Sequence, residues 1–186
     1  MSAWNLMRDL LRSHCGHTVL SYLLGILDKA KEYRNQKVVV GAIDIIAMSL
    51  WGTQRVESLR CHPSAVLPVL AASMDAGPVV IREVFISIKR LIRKYGKDLQ
   101  QLSWHCLLQL LSRAVVLCKK LPPEERRAEL TQQLHLLIDM IEQLYRDGEY
   151  AGSPETMFSL IESCSSDRPP SSLIALLDHR AAVSSI

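Results

Sequence analysis

Every proline of this chain except Pro68 falls between stretches whose apolar residues recur every third or fourth position. Proline has no N–H for a helical or ladder bond and holds φ near −65°, so it is tolerated at a helix start and disruptive inside. That placement divides the chain into helices joined by short turns, and no stretch alternates with period two for long enough to make a strand. Helices are predicted near 2–14, 17–33, 36–51, 63–75, 78–95, 98–119, 123–147, 154–165 and 171–182. His62-Pro63-Ser64 opens the fourth, and Gly77-Pro78 separates it from the fifth. Gly96-Lys97-Asp98 turns the fifth into the sixth, with Asp98 as the predicted N-cap. Leu121-Pro122-Pro123-Glu124-Glu125 places proline and acid in the first turn of the seventh, which Gly148 and Gly152 end. Ser153-Pro154-Glu155 reads as N-cap, N1 proline and N2 acid, and Arg168-Pro169-Pro170 forces another break.

Composition agrees. Leucine contributes 29 residues, phenylalanine 2, and glycine and proline 8 each, which favours helices over a β-sandwich or a disordered chain. The third helix, Val38 to Met48, is apolar almost all round apart from Asp44. The sixth is broadly apolar: Leu99, Leu102, Cys106 and Leu110 lie on one face and Trp104, Leu107, Leu108, Leu111 and Val115 on the next. The seventh carries one stripe, Leu130, Leu134, Leu137, Ile141 and Leu144, opposite Gln132, His135, Asp139, Glu142 and Gln143. Helices buried on several sides belong inside a stack, and single-stripe helices at its surface. Pairing consecutive helices gives units near 2–33, 36–75, 78–119 and 122–165, a spacing close to that of HEAT and armadillo repeats. The fold class expected is all-α, an α-solenoid of HEAT-like pairs with about nine helices, over the competing closed bundle.

A formal charge of +3 does not point to nucleic acid. The five cysteines are odd in number and irregularly spaced, as expected of free thiols in a reducing compartment. Asn5, Arg8 and Asp9 interrupt any apolar leader in Met1 to Leu11. Val38 to Trp51 is too short and too interrupted to span a membrane and reads as a core helix. The patterns at the two ends read as a slice of a longer scaffold. His14-Cys15-Gly16-His17 and Cys61-His62 follow no standard zinc spacing and read as helix ends. His105-Cys106 reads as a polar-strip histidine beside an apolar-face cysteine. No phosphate loop, HExxH or nucleophile elbow is present, so no catalytic, cofactor or metal residues are assigned. Glu124-Glu125-Arg126-Arg127 reads as a solvated face. Asp44 is the one costly polar residue, either paired in the core or facing a groove.

The fifth helix is the most informative surface. Ile81, Val84, Phe85, Ile88, Leu91, Ile92 and Tyr95 gather into an arc of about 120°. Arg82, Lys89, Arg90, Arg93 and Lys97 collect on the other side with Ile86 among them. A basic ridge holding one apolar residue suits an acidic amphipathic helix or an anionic headgroup; the alternative is an ordinary solvated face.

Ala47-Met48-Ser49-Leu50-Trp51-Gly52, Arg55, Ser58-Leu59-Arg60 and Ser64-Ala65-Val66-Leu67-Pro68 carry a resemblance. Trp4-Asn5-Leu6-Met7-Arg8-Asp9-Leu10-Leu11 and Gly16-His17 extend it upstream. Leu91-Ile92-Arg93-Lys94-Tyr95, Leu99-Gln100, Gly152-Ser153-Pro154-Glu155 and Asp167-Arg168-Pro169-Pro170-Ser171-Ser172-Leu173 extend it downstream. Collinear over nearly the whole chain, these segments resemble the N-terminal HEAT-repeat region of the tuberin family; Asp44 departs from its apolar pattern. The resemblance implies an interaction scaffold that binds the coiled coil of a hamartin-like partner and packs on the remainder of its own solenoid. It implies a parent that stimulates GTP hydrolysis by Rheb and restrains TOR growth signalling, through an activating domain absent here. It implies a cytoplasmic protein, without cofactor, nucleic acid or transmembrane segment, recruited to lysosomal membranes through the complex. The alternatives are a HEAT adaptor outside the family and an enzyme. Arg82, Ile86, Lys89, Arg90, Arg93 and Lys97 are the expected partner-binding residues.

Overall fold

Helix boundaries in the computed structural model, which describes residues 3–123 and 125–164, follow the proline and glycine positions. The helices are α1 (Ala3–Arg12), α2 (Gly16–Asp28), α3 (Gln36–Leu50), α4 (Pro63–Ser73), α5 (Pro78–Tyr95), α6 (Gln101–Lys120), α7 (Glu125–Arg146) and α8 (Pro154–Ser163). Single 3-10 turns at Ala30–Glu32, Met74–Ala76 and Gly96–Asp98 follow α2, α4 and α5. The described residues form an all-α, multi-helix domain without a strand. The helix expected at 171–182 and the break at Arg168-Pro169-Pro170 lie outside the described residues, as does Glu124 at the start of the charge run before α7.

The turn chemistry explains the ends. Gly77 has φ 128°, a conformation that side chains resist, and Pro78 follows as the first residue of α5. Gln36, at the start of α3, reaches that corner and donates from Nε2 to the Ala76 carbonyl. Gly148 closes α7 with φ 72°, while the Glu149 N–H bonds Leu144 O and the Gly148 N–H bonds Tyr145 O. This is a Schellman ending, which satisfies carbonyls the last turn would otherwise orphan. Ser153 caps α8 as expected, accepting from the Thr156 N–H at 3.2 Å. Asp98 does not cap α6. The 3-10 turn absorbs Gly96 to Asp98, and the cap position falls to extended Gln100.

Pro68 lies inside α4 and has no N–H to give the Ser64 carbonyl four residues back. The Cys106 thiol of α6 stands 3.9 Å from that carbonyl and donates to it. The sulfur is a weak donor standing in for the lost backbone bond.

Helices pack chiefly on their neighbours in sequence and next-but-one. α1, α3, α5 and α7 follow one another in one layer, α2, α4, α6 and α8 in the other, and α1–α2, α2–α3, α4–α5 and α6–α7 contacts join them. The core runs between the layers through Leu27, Ile43, Leu67, Phe85, Trp104 and Leu111. Trp51, just past α3, is buried and donates from Nε1 to the Ser87 carbonyl of α5 at 3.1 Å, pinning the two helices. Two assignments of face need correction. Leu102 is 60% exposed, because its helical phase falls with exposed His105 and Gln109, while Ser103 and Trp104 in the same turn are fully buried. Glu142 is buried rather than solvated, with the Arg146 guanidinium 3.8 Å away.

Candidate interaction surface

On α5 the basic residues expected to form one ridge divide among three partners. Arg82 leans toward α7, its Nε 3.2 Å from Glu129 Oε1. Arg90 turns to α3, its Nη1 2.9 Å from Asp44 Oδ1. Lys97, beyond the helix, pairs with Glu149 at 2.7 Å, and that hydrogen bond raises the lysine's pKa. Lys89 and Arg93 have no ion-pair partner among the described residues. A helical wheel groups these cations by angle; in the fold, neighbouring helices supply acids on either side, and only Lys89 and Arg93 remain as the free centre of the ridge. Lys94, left out of that grouping, donates to the Gly52 carbonyl at 2.8 Å.

Ile86 is half-buried and, together with Arg90, lines a groove between α3 and α5. The groove has a volume of about 790 Å³. Val40, Gly41, Val79 and Ile86 make its floor, and Val79 is 44% exposed. Arg34 and Lys37 stand at the end where α3 begins, and the Asp44–Arg90 pair closes the other. Asp44 is therefore neither a buried acid nor a defect: it faces the groove and is neutralised across it. Glu83 also lines the wall; burial foremost, then the Asp44 carboxylate, push its pKa up, while Arg90 and Arg82 pull it down.

A smaller cleft of about 170 Å³ lies beside Trp51, Arg55, His62, Tyr95 and Ser103. Its polar groups serve one another. Arg55 donates to Tyr95 Oη at 2.9 Å, and His62 Nδ1 lies 2.8 Å from Ser64 Oγ and 3.4 Å from Ser103 Oγ. Ser103 is fully buried on the inner side of this contact and His62 is exposed on the outer side. His14, Cys15 and His17 are exposed around the α1–α2 turn, and among the described residues no three metal-ligating side chains gather at one point. The five cysteines are free thiols. Burial holds the Cys118 pKa up at about 11, with neighbouring Cys164 adding to it, and raises that of Cys61 as well, which disfavours the thiolate at both. His105 is exposed and Cys106 half-buried, as the helical pattern implied. Among the described residues no helix is long and apolar enough to cross a membrane.

A family model described as a domain of unknown function, DUF3384, matches residues 1–186. The chain belongs to the DUF3384 family. In this DUF3384 chain the α3–α5 groove is a wide surface feature, and on its α3 bank the sequence marks only Asp44. Arg34, Lys37, Val40 and Gly41 carry no motif.

Proposed function

We propose that this chain is a segment of a tuberin-like HEAT-type α-solenoid whose work is protein contact, with no catalysis of its own. The observation that carries the reading is the collinear resemblance from Trp4 to Leu173. The alternating packing supports it, because α1, α3, α5 and α7 each lie against the next in one layer and α2, α4, α6 and α8 in the other, as elements of a stack do. The partner is a hamartin-like coiled coil met through Lys89 and Arg93, with Arg82, Arg90 and Lys97 giving a more diffuse positive field because each already holds an acid. The segment serves in restraint of Rheb-dependent TOR signalling, in the cytoplasm and at lysosomal membranes, through the complex.

Calorimetric titration of a hamartin coiled-coil segment into the full chain tests this. We expect binding that weakens with added salt and weakens several-fold when Lys89 and Arg93 are both reversed to Glu, with unchanged circular dichroism. No heat from the parent chain sinks the tuberin-like reading. Equal binding by a folded double variant removes these two residues from the contact. In a single-turnover assay with Rheb the chain alone leaves the hydrolysis rate unchanged; tenfold acceleration, about 1.4 kcal/mol of barrier, would mean a catalytic site in this segment.

A further inference from the structure

Gly41 sits in the middle of α3, where glycine is a poor helix former, yet nothing inside the protein requires its small size. A Cβ built there meets no atom within 4 Å. Contrast Gly52, whose Cβ would lie 2.5 Å from Met48 Cα, or Gly96, 2.7 Å from a Leu144 methyl. Gly25 of α2 is open in the same way but faces solvent. Gly41 instead forms a notch in an apolar floor, between Val40 on its own helix and Val79 and Ile86 on the next.

The charge around that floor is positive on balance. Asp44 is matched by Arg90, while half-buried Glu83 has no cation of its own among the described residues, because Arg82 and Arg90 already hold Glu129 and Asp44. Arg34 and Lys37 at the mouth, and Lys89 and Arg93 beyond Ile86, have no ion-pair partner among the described residues. An apolar trough bordered by uncompensated cations is complementary to a helix with an apolar stripe and carboxylates along its flanks. A helix is about 10–12 Å across with its side chains, so the groove admits one face of it, and the absent side chain at position 41 lets the backbones approach.

We infer that the α3–α5 groove is the seat of an acidic amphipathic helix from a partner protein, with Gly41 as the point of closest approach. The inference rests on the interaction-scaffold reading and gives it a location. A membrane suits the surface less well, because the floor is concave and a flat bilayer surface would not reach it.

The test uses a fluorescent helical peptide of about 20 residues, some 30 Å long, built from Glu, Ala and Leu with leucines at i, i+3, i+4 and i+7. A version with every Glu replaced by Lys serves as control. The full chain is expected to bind the acidic peptide, less tightly as salt rises, and not the basic one. Gly41→Leu fills the notch without touching the core, so its thermal midpoint should stay level or rise while peptide affinity falls at least about tenfold. Lys37→Glu combined with Arg93→Glu should weaken binding and flatten its salt dependence. No binding of the acidic peptide, equal binding of the basic one, or undiminished binding by Gly41→Leu overturns the inference. So does binding of the chain to phosphatidylserine vesicles that Gly41→Leu abolishes while the peptide is ignored. Coiled-coil titration that succeeds while the acidic peptide fails removes the groove and leaves the scaffold. The reverse pattern removes the tuberin-like partner and leaves the groove.

Discussion

Asp75 pairs with two cations, though no motif marks it. It sits in the middle of the 3-10 turn after α4 and meets Lys31 Nζ at 2.8 Å and Arg113 Nη2 at 2.6 Å, so one side chain ties the turn after α2 to α6. The hydrogen bond from Arg113 first, then that from Lys31, holds its pKa below the ordinary 3.8. A carboxyl depressed in the fold contributes stability above its unfolded pKa, and that contribution is lost as pH falls through the folded value. Both cations are largely exposed, which screens the pair and keeps its worth modest. Asp75→Asn should lower unfolding free energy by about 1 kcal/mol at neutral pH, and the gap to the parent should close as pH drops below about 4. Urea titrations of both proteins between pH 7 and pH 3 measure it; a gap that does not shrink at all below pH 4 would place the effect in packing instead of charge.

At the scale of the element, α4 is the helix whose sequence and structure most disagree. It has no charged side chain, and it keeps a proline where a backbone bond should be. Because the Cys106 thiol substitutes only weakly for the missing N–H, Pro68→Ala should stabilise the protein by about 1–3 kcal/mol. It should also make Cys106→Ala cheaper than in the parent, since the Ser64 carbonyl would then have an N–H donor. A double-mutant cycle in urea reads that coupling; strict additivity would mean the sulfur contact does not carry load. Elements were legible where punctuation was local. The limits of α5 between Gly77 and Gly96 coincide with those read from sequence, and Ser153-Pro154 starts α8 where it should. Features set by distant residues were not legible. Asp44 looked costly because its neutralising partner Arg90 is 46 positions away, and the α5 ridge looked continuous because a wheel cannot show that Glu129 and Glu149 approach it. Leu102 shares its helical phase with exposed His105 and Gln109, so periodicity itself points it outward, whereas Glu142 lies at the edge of the α7 stripe, where the neighbours' reach decides that it is buried.

Across the whole molecule, contacts are local in the order of helices, so protection should be graded along the chain and not uniform. Helices α4, α5 and α6 have partners on both sides in their own layers, while α1 packs chiefly on α2 and α3 and leaves Leu6 55% and Leu10 42% exposed. Native-state hydrogen exchange should find the slowest amides in α5 and α6 and the fastest helical amides in α1. Equal protection in α1 and α5 would contradict an order-dependent stack.

The indole of Trp51, held dry between α3 and α5 with its N–H on the Ser87 carbonyl, has an optical consequence. Trp104 is equally enclosed, its ring centroid 4.8 Å from that of Tyr150, while Trp4 is half-buried and donates to Gln54 near the start of the chain. The three chromophores therefore sit in surroundings of different polarity at successive positions along the stack. Emission from Trp51 and Trp104 belongs at the blue edge of the native spectrum and that of Trp4 toward the red, so the colour of the fluorescence reports which end of the molecule has come apart first.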